Sequence, residues 1–518
     1  MNFLRSVSSI GGFTILSRIT GYLRDLLMAN LIGVSILSDA MALAIKFPGF
    51  FRRIFAEGAF HVSFLPLYTK LKRDPAFSGM ILSLLGMMLI GLVVGVEIFF
   101  PQISAFVFGG LSKKPETLAL VIQLGRITFP YVFFICLTSF FGSILNAYGH
   151  FSLYSASHAV GNGFVVLCAG VLSFYSQSYG VLFSWTVLAS GVLQCGCLLA
   201  SCMYYGYDIR PRWPRLTPEI RQFFCHFFPN LLSVGALQLN MLVGFYLGSM
   251  LAKGGLSYLY YADRLNQLPY SIVGVSLSSI LLPLLSKYLR EGQLAKANKT
   301  QNYAFRFAAF TALPATMFLL VLAFPMIDLL FGHGKINALQ VIEIGKTVMA
   351  FSLGIPAHIA NKIITTRFFA QGQPKYPLQA SVLMVVLDIV LSVLLIRWLE
   401  HVGLALAMAL AAWGSTLFLL FVIQQKHGWT VSKALRRFLW RIVLSCVISG
   451  ALLCALQAIL PAFRACSLPQ QLGLLSGFLT LGTLLLFACF SYFRILSKRQ
   501  WNILWKSFKK RGNNVEVL

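Results

Sequence analysis

Apolar residues fill this chain in long runs rather than in alternation. Residues 80–100 carry one charge, Glu97; residues 376–396 carry only Asp388; residues 442–461 carry none. Each run matches the roughly 20 residues a helix needs to cross a hydrocarbon core of about 30 Å. The short alternating segments of a membrane barrel are not seen. Run length and turn signals predict about 14 helical spans, at 7–33, 36–71, 79–108, 118–147, 153–176, 180–205, 220–252, 256–288, 302–331, 338–370, 376–397, 403–425, 438–461 and 470–494. The second and tenth are too long to be single straight spans. Proline is expected to interrupt the second at Pro48-Gly49, the eighth at Pro269 and the tenth at Pro356. The expected fold is an all-α integral membrane protein.

The pattern also repeats. LPLYTK (65–70) is similar to LPLLSK (282–287), and AYG (147–149) to AQG (370–372). Pro48 and Pro269, and Pro130 and Pro356, fall at nearly the same offset. Four matches in order predict two six-helix lobes in parallel repeat, followed by two extra helices. The expected boundaries are an N-lobe at 1–205, a linker at 206–228, a C-lobe at 229–427, helices 13 and 14 at 428–497, and a basic tail at 498–518. Thr217-Pro218-Glu219 reads as a helix start. The stripe Ile220, Phe223, Phe224, Phe227 and Phe228 then predicts an interfacial amphipathic helix within the linker. Trp501, Leu504, Trp505 and Phe508 share one face of a basic segment and fit either a second such helix or a solvated tail.

Composition agrees with a membrane protein. Of 518 residues, 58% are hydrophobic and 11% charged, with mean hydropathy +0.78. The net charge of +27 would point to nucleic acid in a soluble chain. Here about 27 of the 42 Lys and Arg gather in loops on one side of the expected spans, against about six on the other. The positive-inside rule therefore places both termini in the cytoplasm, with anionic headgroups rather than nucleic acid as the partner of the basic loops. The first apolar stretch contains Arg18, Arg24 and Asp25, unlike the uninterrupted core of a cleaved signal peptide. Ten scattered cysteines show no metal-site spacing. GKT (345–347) lacks the glycine that a phosphate-binding loop needs at position 340, which is Gln, and no hydrolase or zinc motif is found. No catalytic residue, metal site or cofactor is expected.

Charges inside the spans carry the chemistry, because each costs about 2.5–3.5 kcal/mol on insertion. They concentrate in the first two spans, as Arg18, Arg24, Asp25, Asp39, Lys46, Arg52, Arg53 and Glu57, and in the eighth, as Asp263 and Arg264. Arg18 and Asp25 lie seven residues apart on one helix face, as do Asp39 and Lys46, so each pair is expected to meet. Six basic groups against four acidic leave an arginine-rich surplus. The guanidinium fork matches phosphate, so one reading is a cavity between the halves that binds a phosphate ester. The other is that the charges pair off and pin helices, or snorkel to the interface; that second reading is the expectation for Arg53, about 100° around the helix from Arg52.

The strings RITGYLRD (18–25), KFPGFFRRIFAEGAF (46–60), SYLYYADRL (257–265) and ILLPLLS (280–286) resemble the signatures of the MurJ (MviN) family of lipid II flippases. The resemblance implies the fold of the multidrug/oligosaccharidyl-lipid/polysaccharide exporters, with 14 helices, the last two forming a groove for a lipid tail. It implies transport of lipid II, the undecaprenyl-diphosphate-linked peptidoglycan precursor, from the cytoplasmic to the outer leaflet of the bacterial inner membrane. It assigns substrate-binding arginines to Arg18, Arg24, Arg52 and Arg264, and functionally sensitive positions to Asp39, Lys46, Glu57 and Ser257. Asp25 is expected as a further charge partner, and Asp388 as the site of a coupling ion. Some relatives carry an acid where this chain has Gln267, which separates it from any coupling role of that acid. A monomer is expected. The other functions open on this fold are an ion-coupled exporter of organic cations and a flippase for another polyprenyl-linked oligosaccharide.

Overall fold

Proline and glycine set where these apolar runs bend, and neighbouring hydroxyl groups determine whether a helix continues through the bend. The computed structural model describes residues 3–175, 178–427, 429, 432–459, 463–493 and 495. Every regular element among the described residues is helical. They include eight helices long and apolar enough to cross a membrane. The chain divides into two compact units.

The first unit comprises Met1–Tyr261, Phe331–Gln340 and Ser392–Leu404. Its helices are α1 (Phe3–Ile32), α2 (Ile36–Arg52), a π-helical turn (Arg53–Phe60), α3 (His61–Lys70), α4 (Pro75–Ile98), α5 (Phe100–Val107), α6 (Pro115–Thr128), α7 (Tyr131–Ala147), α8 (Phe151–Leu172), α9 (Tyr179–Tyr204), α10 (Pro218–Ser249) and the start of α11 (Gly255–Pro269). Helix α1 packs along α8, α7 against α8 and α9, and α2 against α6.

The break expected at Pro48-Gly49 does not occur, and α2 runs through Pro48 to Arg52. Pro48 has no N–H to give the carbonyl of Ala44, four residues earlier. Thr128 Oγ1 donates to that carbonyl at 2.8 Å instead, so the helix survives its proline. The register changes one turn later, in the π turn. There Ser139 Oγ donates to Ala56 O at 2.8 Å, satisfying a carbonyl of the widened helix. Phe47 fixes this region with ring centroids 5.3–5.9 Å from Phe51, Phe100, Phe108 and Phe129, which ties α2 to α5 and α6.

The phenylalanine stripe at 220–228 leads directly into the seventh span, as its position at the head of residues 220–252 predicts. It is the first part of the continuous helix α10, which starts at a Thr217 cap. Ile220, Phe223 and Phe227 are buried, and Phe223 meets Phe60 at 6.1 Å between ring centroids. The stripe packs on the π turn and α3 of its own unit, which offers more apolar surface than a headgroup layer; Phe228 stays exposed.

The second unit comprises Ala262–Leu330, Val341–Leu391 and Ala405–Leu518. After α11 come a π turn (Tyr270–Val275), α12 (Ser276–Arg290), α13 (Leu294–Val321), α14 (Ala323–Phe331), α15 (Ala338–Ser352), α16 (Ile355–Ala370), α17 (Lys375–His427), α18 (Lys433–Ile459) and α19 (Leu468–Tyr492). Helix α17 is two helices meeting at Glu400, whose φ of 47° is left-handed and which lies in the Ser392–Leu404 segment counted with the first unit. Gly403 permits that bend, since a Cβ there would lie 2.5 Å from Leu395 O. Met317, Leu322, Leu453, Phe478 and Phe490 form a core that joins α13 to α18 and α19. The basic segment at 498–511 lies outside the described residues.

The order of elements repeats along the chain. A proline-containing helix, a π turn and a second proline-containing helix occur at 36–70 and again at 255–290. The stretches Pro115–Ala147 and Ala338–Ala370 are each 33 residues long, each divided just before or at a proline, Pro130 and Pro356.

Candidate functional site

In the first unit Arg24, Asp25, Lys46 and Asp39 belong to two bonded groups. The first is centred on Asp25, which is 1% exposed. Arg24 donates to its Oδ1 from Nε at 3.2 Å and Nη2 at 3.0 Å. Tyr260 OH donates to the same oxygen at 2.8 Å. Arg24 Nη1 reaches Asn162 Oδ1 on α8 at 3.2 Å, and Asn162 Nδ2 donates to Ser17 O at 3.2 Å. Gly21 makes this possible, because a Cβ there would stand 3.3 Å from Asn162 Nδ2. The Lys46 ammonium sits 5.3 Å from the centre of the Tyr260 ring. One network thus links Arg24, Asp25, Lys46, Asn162 and Tyr260.

The second group is built on Asp39. Its Oδ2 accepts the N–H of Gly254 at 2.7 Å, and its Oδ1 accepts the N–H of Ser257 at 2.8 Å and the Ser257 hydroxyl at 2.6 Å. The carboxylate therefore caps the amino end of α11, where unsatisfied N–H groups favour an anion. Ser38 Oγ lies 2.7 Å from Ser257 Oγ, and Ser38 also closes the capping box of α2 with Ser35. Asp39 lines a cavity of about 330 Å³ with Ile36, Lys114, Glu116, Ser249 and Leu256. Lys114 Nζ donates to Leu251 O at the same place.

These bonds replace the pairs expected from spacing. Arg18 is exposed and forms no ion pair among the described residues; Asp25 is engaged by the adjacent Arg24 and by Tyr260. Asp39 meets backbone amides rather than Lys46. A seven-residue spacing gives a shared face, but bonded neighbours on other helices were closer. Arg52 is half-buried at the end of α2. The π turn brings residue 57 about one turn from it along the backbone; the Glu57 side chain lies outside the described residues. Arg53 is exposed, with Nη1 3.9 Å from Met241 Sδ.

The second unit holds the remaining expected residues. Arg264 is half-buried on α11. Beside it, Gln267 Nε2 donates to Asp263 Oδ2 at 2.6 Å. An acid at position 267 would instead put two like charges one turn apart, so the glutamine settles Asp263 without a cation. Asp388 is buried in α17. Sequence reasoning missed Asn162, Tyr260 and Gly254. Asn162 was visible as a lone amide between two glycines in an apolar span, and Tyr260 as part of the YYADR string. The role of Gly254 lies in its backbone N–H and has no side-chain signal.

Residues 28–472 match the model of the family described as "Lipid II flippase MurJ". The chain belongs to the lipid II flippase MurJ family. Among curated MurJ proteins, the probable lipid II flippase of Rickettsia prowazekii (strain Madrid E) is 30% identical over 467 residues, covering 88% of this chain and 91% of the relative. That of Rhizobium tropici is 31% identical and covers 87% of each. A solved structure of lipid II flippase MurJ in an inward closed conformation superposes with a TM-score of 0.78 at 26% identity, over 93% of this chain and 98% of that one. An inward-facing multidrug resistance MATE family transporter of the MOP superfamily superposes at 0.68 with 14% identity, over 81% of this chain and 96% of its own, a likeness of fold alone.

Proposed function

We propose that this chain carries lipid II across the bacterial cytoplasmic membrane, from the cytoplasmic to the outer leaflet. The observation that carries this reading is the family match over residues 28–472, most of the chain. It is a transporter, and its chemistry is binding and release rather than bond making. The half-buried arginines Arg24, Arg52 and Arg264 support the substrate class, since a diphosphate needs multidentate cationic donors in a low-dielectric setting. In this proposal Arg24, Arg52 and Arg264 hold the diphosphate, with Arg18 assisting. When the substrate leaves, Asp25 re-engages Arg24, as the 3.0 Å pair already does. Glu57 does the same for Arg52. Asp39 and Ser257 act as a latch that is made in one state of an alternating-access cycle and broken in the other, while Lys46 holds the Tyr260 side of the network. The prenyl tail follows α18 and α19, and Asp388 is the place for a coupling ion.

The finer architecture is also proposed: 14 spans, lobes at 1–205 and 229–427, both termini cytoplasmic, and a monomer. An exporter of organic cations on the same fold fits less well. Asp25 and Asp39 are already engaged by Arg24, Tyr260 and backbone amides, whereas cation binding needs an available acid. In cells depleted of this protein, leaflet-specific labelling of lipid II is expected to show accumulation on the cytoplasmic side. Restoration by wild type but not by Arg52→Ala or Arg264→Ala, each inserted at normal levels, supports the arginine clamp. Normal lipid II export in depleted cells would exclude the flippase reading.

A further inference from the structure

The segment Phe331–Gln340 joins α14 to α15 and belongs to the first unit, although the chain before and after it belongs to the second. It is therefore tied at both ends to a body other than the one it rests on. Its resting place is the turn between α1 and α2. A Cβ on Gly33 would lie 2.8 Å from Lys335 Cβ, and one on Gly334 would lie 3.0 Å from Asn30 O. Both glycines have positive φ, +70° and +99°. Two left-handed turns thus meet where neither has room for a side chain.

Side chains complete the contact. Gln340 Nε2 donates to Val34 O at 3.2 Å. The Lys335 ammonium lies 4.7 Å from the centre of the Tyr179 ring, at the start of α9. Phe331 is buried, with its ring centroid 6.2 Å from that of Tyr22 and 5.2 Å from that of Tyr261. The segment also holds its own shape. Asn337 N–H donates to Gln340 Oε1 at 3.1 Å and Gln340 N–H to Asn337 Oδ1 at 2.9 Å, a reciprocal cap that needs nothing from α1. His333, Lys335 and Leu339 are exposed. A self-capped, largely exposed segment can leave its seat without unfolding.

Val34 joins this contact to the Asp39 cap. Its carbonyl takes the Gln340 amide, and its Cγ1 would lie 2.7 Å from a Cβ on Gly254, the residue whose N–H Asp39 holds. Both closures therefore bear on one turn.

We propose that Phe331–Gln340 is a clasp on the α1–α2 turn, closed jointly with the Asp39 cap, and that it lets go of that turn in each transport cycle. The clasp rests on the alternating-access reading of lipid II transport and uses none of the arginines assigned to the substrate.

Lys335→Cys and Tyr179→Cys put one thiol on each side of the clasp, in full-length protein whose exposed Cys225 and Cys454 are replaced by serine. In proteoliposomes the two thiols are joined by a reducible bis-methanethiosulfonate reagent. Export of lipid II, read by leaflet-specific labelling, is expected to stop when the link forms and to return when a reductant cleaves it. Export at the unlinked rate by fully linked protein overturns the proposal. Gln340→Glu keeps the acceptor for Asn337 N–H and loses the donor to Val34 O. Hydrogen exchange at the Gly254 and Ser257 amides is expected to be about fivefold faster in this variant. Exchange equal to wild type also overturns the proposal. This second measurement needs no transport. If the unlinked protein exports no lipid II, the flippase reading fails, and exchange still decides whether clasp and cap act on one turn.

Discussion

Thr128 shows how one hydroxyl can decide the course of a span. Its bond to Ala44 O satisfies the carbonyl that Pro48 leaves without a donor. Thr128→Val keeps the shape and removes the donor. It is expected to lower stability by about 1 kcal/mol, and Thr128→Ser to restore it, as read from thermal unfolding in detergent. Equal midpoints for all three proteins would mean that Pro48 is tolerated without help. Arg24 is a second case, because it bonds Asp25 and Asn162 at once through different nitrogens. A lysine ammonium lacks the planar fork. Arg24→Lys should therefore insert normally and flip lipid II slowly, in a leaflet-labelling assay on proteoliposomes. Wild-type rates in that variant would show that charge alone suffices. Arg24 and Asp25 were legible as buried charges. Their mutual bond was not, because residues adjacent on a helix do not face each other and only side-chain bending brings them together.

Among the elements, α11 depends on a cap supplied by another helix. The Asp39 carboxylate on α2 takes the N–H groups of Gly254 and Ser257. Asp39→Ala leaves those amides without an acceptor. Their hydrogen exchange is expected to rise well above wild type, while exchange at the Thr217 cap of α10 stays unchanged. Unaltered exchange at Gly254 and Ser257 would mean that the cap contributes nothing in the membrane. The turn within α17 supplies another test. A Cβ on Gly403 meets the backbone of Leu395, which cannot move aside as a side chain can. Gly403→Val is expected to cost about 1–3 kcal/mol, measured against Gly206→Ala, where nothing lies within 4 Å but φ is +71°. Span limits were legible wherever an apolar run ended in a charge or a glycine. The π turns were not, because no residue type marks an extra residue in a helix.

For the molecule as a whole, α18 and α19 add a layer on α13 through Met317, Leu322, Leu453, Phe478 and Phe490. In water, exposing such a surface would unfold the unit. In lipid there is no hydrophobic drive between helices, so truncation after His427 is expected to leave insertion intact and lipid II export impaired. Loss of insertion would assign the pair to folding instead. Helical class and the family were legible from apolar run lengths and from the RRIFAEGAF and YYADRL strings, which concentrate charges too costly to lie at random. The Asp25 and Asp39 networks needed coordinates, because their partners come from helices far apart in sequence. The two π turns carry a different kind of information. Each is an α-helix with one residue too many, and the two begin at Arg53 and Tyr270, the same distance before the LPLYTK and LPLLSK strings of the repeat. One insertion in a half-length ancestor explains both, whereas two later insertions at the same position require coincidence. If the two halves arose by duplication of one half-length chain, the bulge is older than that duplication, and single-repeat relatives are expected to carry it.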